Sequence, residues 1–224
     1  MNKLLILIAA FLMIIQFSNA QTEKGSQTLG FNFGFNSSKI NEIPVGQDAA
    51  NGSSFVTRYD NFNFGPSYSF FTANGVDAGI MLNFMSITQT ASANNFGSPT
   101  RYNDYEASGT LFVRKYFLFK NKFGIRTGPY LSYGKSTYSY IYPPSQNIIN
   151  QKNNSNNMIA GADLAMVYYA TKNIGFAATL ANLQYNHSTS RGGYQLNQNA
   201  NSISFYTGTS ALQISMFYIF GGKG

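Results

Sequence analysis

The sequence contains neither cysteine nor tryptophan, and only 10% of its 224 residues are charged. The absence of cysteine excludes disulfide bonds, thiolate metal sites and the lipidated cysteine that anchors a bacterial lipoprotein. Typical soluble domains contain about 25% charged residues. The low charge therefore favours a protein whose outer surface is covered by something other than water.

A long hydrophobic run is also missing, since the longest apolar stretch covers only the 12 residues 4–15. A helix that spans a bilayer needs about 20 such residues. Lys3 precedes the run and the small residues Ser18-Asn19-Ala20 follow it, which is typical of a cleaved secretory signal peptide. We predict a signal peptide at 1–20 and one domain at 21–224.

The 15 Lys and Arg residues outnumber the 8 Asp and Glu residues, which gives a formal charge of +7. The basic residues are scattered, and an export signal would carry the chain away from nucleic acid. We therefore expect no nucleic-acid partner, and we attribute the positive excess to attraction toward anionic lipid headgroups.

Aromatic residues are abundant, with 20 Phe and 16 Tyr, and many occupy every second position. Phe31, Phe33 and Phe35 alternate with small or polar residues, and similar alternation recurs at 62–70 and 212–220. Successive side chains of a strand point to opposite faces, so each segment has one apolar and one polar face. Behind a signal peptide, this pattern predicts an eight-stranded antiparallel up-and-down transmembrane β-barrel, with lipid outside and polar groups inside.

The predicted strands cover residues 28–37, 55–71, 76–88, 105–118, 123–138, 158–170, 174–185 and 202–220. Long connections alternate with short ones such as Asn74-Gly75, a strong hairpin signal. Outer-membrane barrels show this asymmetry, with short periplasmic turns and long external loops. Besides the polar stretch between the first two strands, loops are expected at 89–103, 141–157 and 186–200.

Two details of the predicted fifth strand carry further expectations. Pro129 cannot donate to a strand ladder, so we expect a bulge there. Tyr138, Tyr140 and Tyr142 stand at the entry to the longest loop. We expect them to lie at the lipid headgroup boundary, where tyrosine is enriched, or to contact a partner.

Four features of the sequence resemble those of a known family of proteins. They are the signal peptide, the Gly-x-aromatic opening strand, the Asn-Gly turn and the terminal Ile-Ser-Met-Phe-Tyr-Ile-Phe-Gly-Gly-Lys at 214–223. The mature chain resembles the small outer-membrane β-barrel proteins of Bacteroidota-type bacteria, described as OmpA-like or PorT-like barrel domains. The resemblance implies a location in the outer membrane of a Gram-negative cell. It also implies a signal for the barrel-insertion machinery on the last strand, carried by Met216, Tyr218 and Phe220.

Five charged residues have the alternation parity of the predicted lumen: Asp77, Glu106, Arg114, Arg126 and Asp163. Opposite charges that face each other across a narrow eight-stranded lumen would pair and exclude a wide water channel. We therefore predict a lumen charge network that plugs the barrel, and we prefer a plug over a gate or a proton path.

Enzyme chemistry and metal binding have little support in the sequence. The single histidine, His187, is followed by Ser188, Thr189 and Ser190, but no acidic residue lies near it in the sequence. Lipid-modifying barrels place Ser, His and an acid at the membrane rim, and we predict that His187 has no such catalytic role. The acidic residues are spread out, so we expect no metal site and no cofactor.

Three functions remain as alternatives. The first is a structural or surface-interaction barrel whose loops meet an envelope or extracellular partner. The second is a transport or secretion-accessory barrel that binds a small hydrophobic ligand, because eight strands leave room for side chains or one small ligand. A lipid-modifying membrane enzyme is the least favoured, and we expect a protein that is not an enzyme.

Overall fold

The computed structural model describes residues 22–42, 55–93, 100–141, 151–192, 195–207 and 213–221. The predicted signal peptide at 1–20 lies outside these residues. The strands are β1 (Gln27–Glu42), β2 (Phe55–Ala73), β3 (Val76–Ala93), β4 (Thr100–Phe119), β5 (Phe123–Ile141), β6 (Gln151–Tyr169), β7 (Ile174–Gly192), β8 (Gln195–Thr207) and β9 (Gln213–Phe220). Within the described ranges there is no helix whose length and apolarity would allow it to cross a membrane.

The strands form one antiparallel sheet that closes on itself. Each strand from β1 to β7 pairs with the next one along the chain. β9 pairs with both β1 and β7, so eight strands complete a ring at the end of the barrel that holds the short turns. Closure leaves no unpaired strand edge at this level. The predicted all-β, antiparallel, up-and-down barrel is thereby confirmed.

The strand predicted at 202–220 is in fact two strands. β9 supplies the eighth position of the ring at its base, where it pairs with β1 and the first half of β7. In the described part of the chain, β8 pairs only with the second half of β7. Each half alternates by itself, with exposed apolar residues at odd positions in β8 and at even positions in β9, and the prediction of one strand missed this change of parity.

Within the predicted loops 89–103, 141–157 and 186–200, the described residues 89–93, 100–103, 141, 151–157, 186–192 and 195–200 are strand. The strands β2 to β7 contain 18 to 20 residues each, longer than predicted at their outer ends. The Asn-rich segment 151–157, for example, pairs with the end of β5. Composition favoured loops here, but the edge of a neighbouring strand supplies a hydrogen-bonding ladder that overrides residue preference.

Pro129 produces no bulge, contrary to the prediction. The register between β4 and β5 is the same on both sides of it, at Phe112–Tyr130 and at Lys115–Thr127. A β carbon at Gly128 would clash with the carbonyl oxygen of Val113, so the two backbones approach very closely here. A glycine beside the proline therefore lets the strand continue where a ladder donor is missing.

A bulge lies instead in β7, at Leu180. Ala165 pairs with Thr179 and Leu164 pairs with Ala181, which leaves Leu180 as an extra residue. A single extra residue reverses the facing of all later side chains in a strand. Even-numbered residues of β7 face outward before the bulge, and odd-numbered residues do so after it.

The outer wall of the barrel is apolar and the inner wall is largely polar. Aromatic residues of neighbouring strands meet on the outside: the Phe64 ring lies 6.1 Å from that of Phe31 and 5.2 Å from that of Phe84, measured between centroids. Outward-facing exposed residues include Leu29, Phe31, Phe33, Phe35, Phe62, Ile80, Leu82, Leu111, Phe117, Phe119, Phe123, Leu131, Met158, Met166, Phe176, Leu183, Met216 and Tyr218. We call this surface the apolar belt.

A hydrophobic floor fills the lumen at the base. It consists of the inward-facing residues Phe71, Tyr116, Ala165, Val167, Tyr169, Ala177, Phe217 and Ile219. Tyr169 meets the Phe217 ring edge-on at 5.5 Å between centroids. These side chains occupy the lumen at the base of the barrel.

Candidate functional site in the barrel lumen

The predicted charge network contains one complete ion pair, between Asp77 of β3 and Arg114 of β4. These residues are direct cross-strand partners. Arg114 binds Asp77 with two nitrogens, Nη2 at 2.6 Å from Oδ2 and Nε at 3.1 Å from Oδ1. The hydroxyls of Ser69 and Tyr116 also donate to Asp77 Oδ2, at 2.7 and 3.2 Å. The fully buried carboxylate is therefore satisfied, as a buried charge requires.

Arg126 and Asp163 face the same lumen but do not form a comparable pair. Arg126 is only 5% exposed, and its Nε has no hydrogen-bond partner among the described residues. No ion pair within 4.0 Å joins it to Asp163 in the described part of the chain. Its guanidinium lies 5.8 Å from the centroid of the Phe217 ring, on β9.

Glu106 stands apart from the other four charges, further from the base on β4. Asn157 of β6 donates a hydrogen bond to its Oε2 at 3.1 Å. The structure thus arranges the five predicted residues in three places: a closed pair above the floor, Arg126 with Asp163 facing the lumen, and Glu106 nearer the outer end.

A cavity of about 440 Å³ lies above the floor. Its polar lining includes Asn32, Asn63, Asn83, Glu106, Arg126, Asp163, Asn182, Gln184, Tyr206, Gln213 and Ser215, and its apolar lining includes Met81, Met85, Phe112 and Ile159. Small-molecule pockets usually measure about 300–1,000 Å³, so the lumen has room for one small ligand.

Hydrogen bonds across the lumen hold parts of this lining in place. The Tyr130 hydroxyl lies 3.0 Å from Asn182 Oδ1 and 3.1 Å from Gln184 Oε1. Ser215 of β9 donates to the Oδ1 of Asn32 on β1. The wall of the cavity nearest β9 is therefore built from β1, β7 and β9 together.

Beyond the base ring, β1 and β8 are not paired with each other. The pairing of β1 with β9 ends at Gly34–Gln213, although β1 continues to Glu42. In the described ranges, no Cα atom of β8 lies within 8 Å of a Cα atom of β1, whereas paired strands lie about 4.7–4.9 Å apart. Residues 208–212, which join β8 to β9 here, lie outside the described residues.

The outer faces of β1 and β8 beyond the base ring are apolar. Phe35 of β1 is 59% exposed, and Phe205 and Ile203 of β8 are 67% and 78% exposed. On the inside, Tyr206 of β8 and Gln213 of β9 line the cavity.

Sequence reasoning missed three residues that line the cavity, because the inward-facing positions change from one parity to the other in two places. The parity of β7 reverses at Leu180, so Asn182 and Gln184 point inward although the uninterrupted alternation placed them outward. Tyr206 would face outward if β8 and β9 were one strand, yet it lines the cavity. The presence of polar residues at predicted outward positions was the signal that could have shown the reversal.

His187 lies on the outer face of β7, beyond the bulge. Its Nδ1 is 2.8 Å from Asn201 Oδ1 on β8, and the Tyr185 hydroxyl donates to the same oxygen at 2.9 Å. The described residues contain no group of three or more His, Cys, Asp or Glu side chains arranged to hold a metal ion.

The expected placement of Tyr138 at the lipid boundary is wrong. Tyr138 shares the inward parity of Ser132 and Ser136 on β5, and its ring lies 6.1 Å from that of Tyr102. Tyr142 and the side chain of Tyr140 fall outside the residues that the structure describes. The alternation continues beyond the predicted strand end, and this places Tyr138 on the lumen side.

Met216, Tyr218 and Phe220 lie on the outward face of β9. Met216 and Tyr218 are 54% and 51% exposed, and the Tyr218 and Phe220 rings stack at 6.3 Å between centroids. Their predicted role in insertion remains a prediction.

No protein-family model matches the sequence, and no curated protein matches it. Several solved structures are similar over most of the chain. The transport unit of the autotransporter AIDA-I from Escherichia coli is 12% identical, with 96% of this chain and 97% of that chain covered and a TM-score of 0.44. Ail, the attachment invasion locus protein of Yersinia pestis, is 10% identical, with coverages of 88% and 99% and a TM-score of 0.41.

The outer membrane protein OprG from Pseudomonas aeruginosa is 10% identical, with 92% of this chain and 99% of that chain covered and a TM-score of 0.39. The barrel fold of the present chain follows from its own strand pairing.

The ion pair of Asp77 and Arg114 generates the first prediction. Replacing Asp77 with Asn leaves Arg114 buried without its counter-charge, which typically costs about 3–5 kcal/mol. We expect the free energy of unfolding, measured by urea titration in micelles, to fall by about that amount. The double variant Asp77→Leu with Arg114→Met removes both charges, and we expect it to recover most of the loss. A single variant as stable as the parent would show that the pair does not stabilise the barrel.

Proposed function

We propose that this chain is an outer-membrane β-barrel protein of a Gram-negative cell, exported by a cleaved signal peptide, with a structural or surface-interaction role. The finer resemblance to Bacteroidota-type, OmpA-like or PorT-like barrels belongs to the same proposal. Its partners are outer-membrane lipid, the barrel-insertion machinery, which reads Met216, Tyr218 and Phe220, and an envelope or extracellular molecule. The single observation that carries the proposal is the apolar belt around a closed ring of strands.

The apolar belt requires a solvent other than water. Contiguous exposed apolar patches on soluble monomers rarely exceed a few hundred Å², whereas this belt runs around the described strands. Hydrocarbon solvates such a surface, and at the level of the base ring the closed sheet pairs the backbone groups within it.

Charged groups mark the outer edge of the belt. On β2, Phe62 and Phe64 give way to Asp60 and Arg58 toward the outer end. Asp60 accepts a hydrogen bond from Ser37 at 2.6 Å and lies 2.9 Å from Arg58. At the base, Lys115 of β4 reaches the turn carbonyl of Asn74 at 3.4 Å, as a lysine does when its stem crosses an apolar surface to reach water.

A surface role is supported by the length of the strands. A transmembrane strand needs about 9–11 residues to cross a bilayer, and β2 to β7 contain 18 to 20. The outer halves therefore project from the membrane as a continuation of the sheet. This projection offers a large ordered surface to a partner outside the cell.

The lumen supports a second candidate function, the binding of a small ligand. The hydrophobic floor and the Asp77–Arg114 pair close the base, but the cavity above them is roomy and lined by polar and apolar groups. This favours a blind pocket over a conducting channel. Enzyme chemistry has no comparable support, since His187 lies on the outer face beside Asn201.

The membrane placement predicts a depth-dependent response to charge. Phe64 lies within the belt, between Phe31 and Phe84, and an arginine in hydrocarbon should cost about 2–4 kcal/mol, compared with about 0–1 near the interface. We expect Phe64→Arg to destabilise folding into phosphatidylcholine vesicles by the larger amount. Tyr105→Arg, on the outward face of the projecting part of β4, is the matched control. Equal losses for both variants would contradict the placement of the belt in hydrocarbon.

The closed base predicts a barrel without a large steady pore. We expect no sustained conductance after insertion into planar bilayers, because the floor residues fill the lumen. Removing two floor side chains with Phe217→Gly and Tyr169→Ala is expected to create discrete conductance steps. This variant is the positive control, because it shows that the assay detects an open barrel. A steady pore in the unaltered protein would rule out the plug.

The surface role can be tested in intact cells with a photo-reactive amino acid. We expect protein adducts from Lys135 or Asn199, which are exposed on the projecting parts of β5 and β8, because a partner would contact these strands. The same amino acid at Phe123, in the belt near the base, is the control and should give no adduct with an extracellular or surface partner. Absence of protein adducts from both projecting positions would oppose a surface-interaction role there.

A further inference from the structure

We propose that Lys39, Arg58 and Arg101 bind the phosphate groups of anionic lipid in the outer leaflet. These three residues lie in one outward-facing row of the sheet, which we call the cation row. The inference rests on the proposed placement of the apolar belt in a membrane. It adds the residues and the head-group chemistry through which the barrel meets lipid at its outer edge.

Strand pairing brings the members of the cation row together. Lys39 of β1 is the direct partner of Arg58 of β2, Arg58 pairs with Thr90 of β3, and Thr90 pairs with Arg101 of β4. Directly paired residues of antiparallel strands lie on the same face of the sheet. The register does not shift between the belt residue Phe35 and this row. The cation row therefore faces outward, as Phe35 does.

Charged side chains are sorted between the two faces of the strands. Among the strand side chains that the structure describes, the outward parity belongs to Lys39, Arg58, Arg101, Lys115, Lys135 and one acid, Asp60. The inward parity belongs to Asp77, Asp104, Glu106 and Asp163, together with Arg114 and Arg126. The described outer wall therefore has a net positive charge, and a positive surface attracts anionic lipid head groups.

The cation row is unfavourable without a counter-ion. Like charges that lie directly opposite each other on neighbouring strands are destabilising, and Lys39 and Arg58 stand in that relation. Within the described ranges, no ion pair includes Lys39 or Arg101. An anionic group bound between these side chains would relieve the repulsion.

Both arginines present their terminal nitrogens to such a group. Arg58 contacts Asp60 through Nε, at 2.9 Å from Oδ2, and Arg101 donates from Nε to Asn103 Oδ1 at 3.1 Å. No Nη nitrogen of either arginine donates a hydrogen bond within the described part of the chain. The Nε contacts orient each guanidinium and leave two donors free, and a guanidinium with free donors suits the oxygens of a phosphate.

The cation row lies at the expected level of lipid head groups. The outermost aromatic pair of the belt on β1 and β2 is Phe35–Phe62, and Lys39–Arg58 lies four residues further along these strands. With a rise of about 3.3 Å per residue and a strand tilt of about 40°, the row stands about 10 Å above that pair. The head-group layer adds about 5–8 Å to each side of the hydrocarbon. Long basic side chains that extend toward the membrane reach this layer.

A lipid fits this surface better than an acidic protein does. Phe35 is 59% exposed below the row, so an occupant of the row meets cations and an apolar surface together. A lipid presents a phosphate and acyl chains in that order. A protein partner would have to extend over the belt, where hydrocarbon already covers the aromatic rings.

The absence of tryptophan allows a direct test. Phe35→Trp places a single fluorophore at the outer edge of the belt, below the cation row. The variant is folded into vesicles of dibrominated phosphatidylcholine, which quenches tryptophan, mixed with increasing amounts of dioleoylphosphatidic acid, which does not. A lipid held at the row displaces the quencher. We expect phosphatidic acid to be preferred over phosphatidylcholine by about fivefold or more, the factor expected from one basic residue at an anionic surface.

Variants of the cation row test the assignment. In the Phe35→Trp background, Arg58→Gln with Arg101→Gln should reduce the preference to below about twofold. Lys120→Gln with Lys122→Gln removes the same charge from the turn at the base, and should leave the preference unchanged. Asp60→Asn frees Arg58 from its acidic neighbour, so the preference should rise, and a fall would contradict the role of the row.

A second tryptophan position controls for the site of binding. Leu183→Trp lies in the belt on β7, and its cross-strand partners Ala162 and Phe205 are uncharged. We expect the two lipids to be bound equally there. Folding of each variant is checked by the difference in gel mobility between heated and unheated samples.

A photo-reactive amino acid at Thr90 tests the nature of the partner in intact cells, because Thr90 lies between Arg58 and Arg101 in the row. We expect adducts with lipid, detected as a small increase in mass that contains phosphorus. Adducts with protein alone would overturn the assignment to lipid and would show that the row is a protein contact.

The outcomes separate the inference from the membrane placement on which it rests. Normal quenching of Phe35→Trp without a preference for phosphatidic acid would overturn the role of the cation row and leave the placement standing. A preference that survives the loss of Arg58 and Arg101 would overturn the assignment to these residues. No quenching of either Phe35→Trp or Leu183→Trp would overturn both the inference and the placement.

Discussion

Satisfaction of backbone hydrogen bonds is the constraint on which this structure depends. In hydrocarbon no water can pair with a strand edge, so the sheet must close into a ring. The short β9 provides this closure at the base, because it joins β1 to β7 there. Among the described residues, its pairing with β1 ends at Gly34–Gln213.

The bulge at Leu180 is coupled to the division between β8 and β9. β7 pairs with β9 up to Ala178, and it pairs with β8 from Ala181 onward. One extra residue between these two stretches turns the later side chains of β7 over. The cavity consequently receives Asn182 and Gln184 from β7 and Tyr206 from β8, and the outer wall receives Leu183 and Phe205.

Alternation of side chains was enough to predict the barrel, because a period of two residues fixes both the strand and its lipid-facing side. It also gave the five charged residues one parity, and the structure places Glu106, Arg114, Arg126 and Asp163 in the lining of the cavity. Their role as a network that plugs the lumen remains a prediction. Alternation failed where register changed, at Leu180 and between β8 and β9, because each predicted strand was given a single parity. The apolar positions in fact change from even to odd after Leu180, and from odd in β8 to even in β9. Alternation likewise could not show that Arg114 pairs with Asp77 while Arg126 stays apart, since that depends on cross-strand neighbours.

The division of the lumen into an apolar base and a cavity above it bears on the kind of function it can have. Apolar side chains and a satisfied ion pair occupy the base, whereas polar and apolar groups line the cavity above them. Burial of polar groups without partners is costly, so the polar lining favours a cavity that holds water or a ligand. Any path through the barrel would have to break the Asp77–Arg114 pair and displace the aromatic floor beneath it, and this arrangement supports the proposal of a pocket over that of a channel.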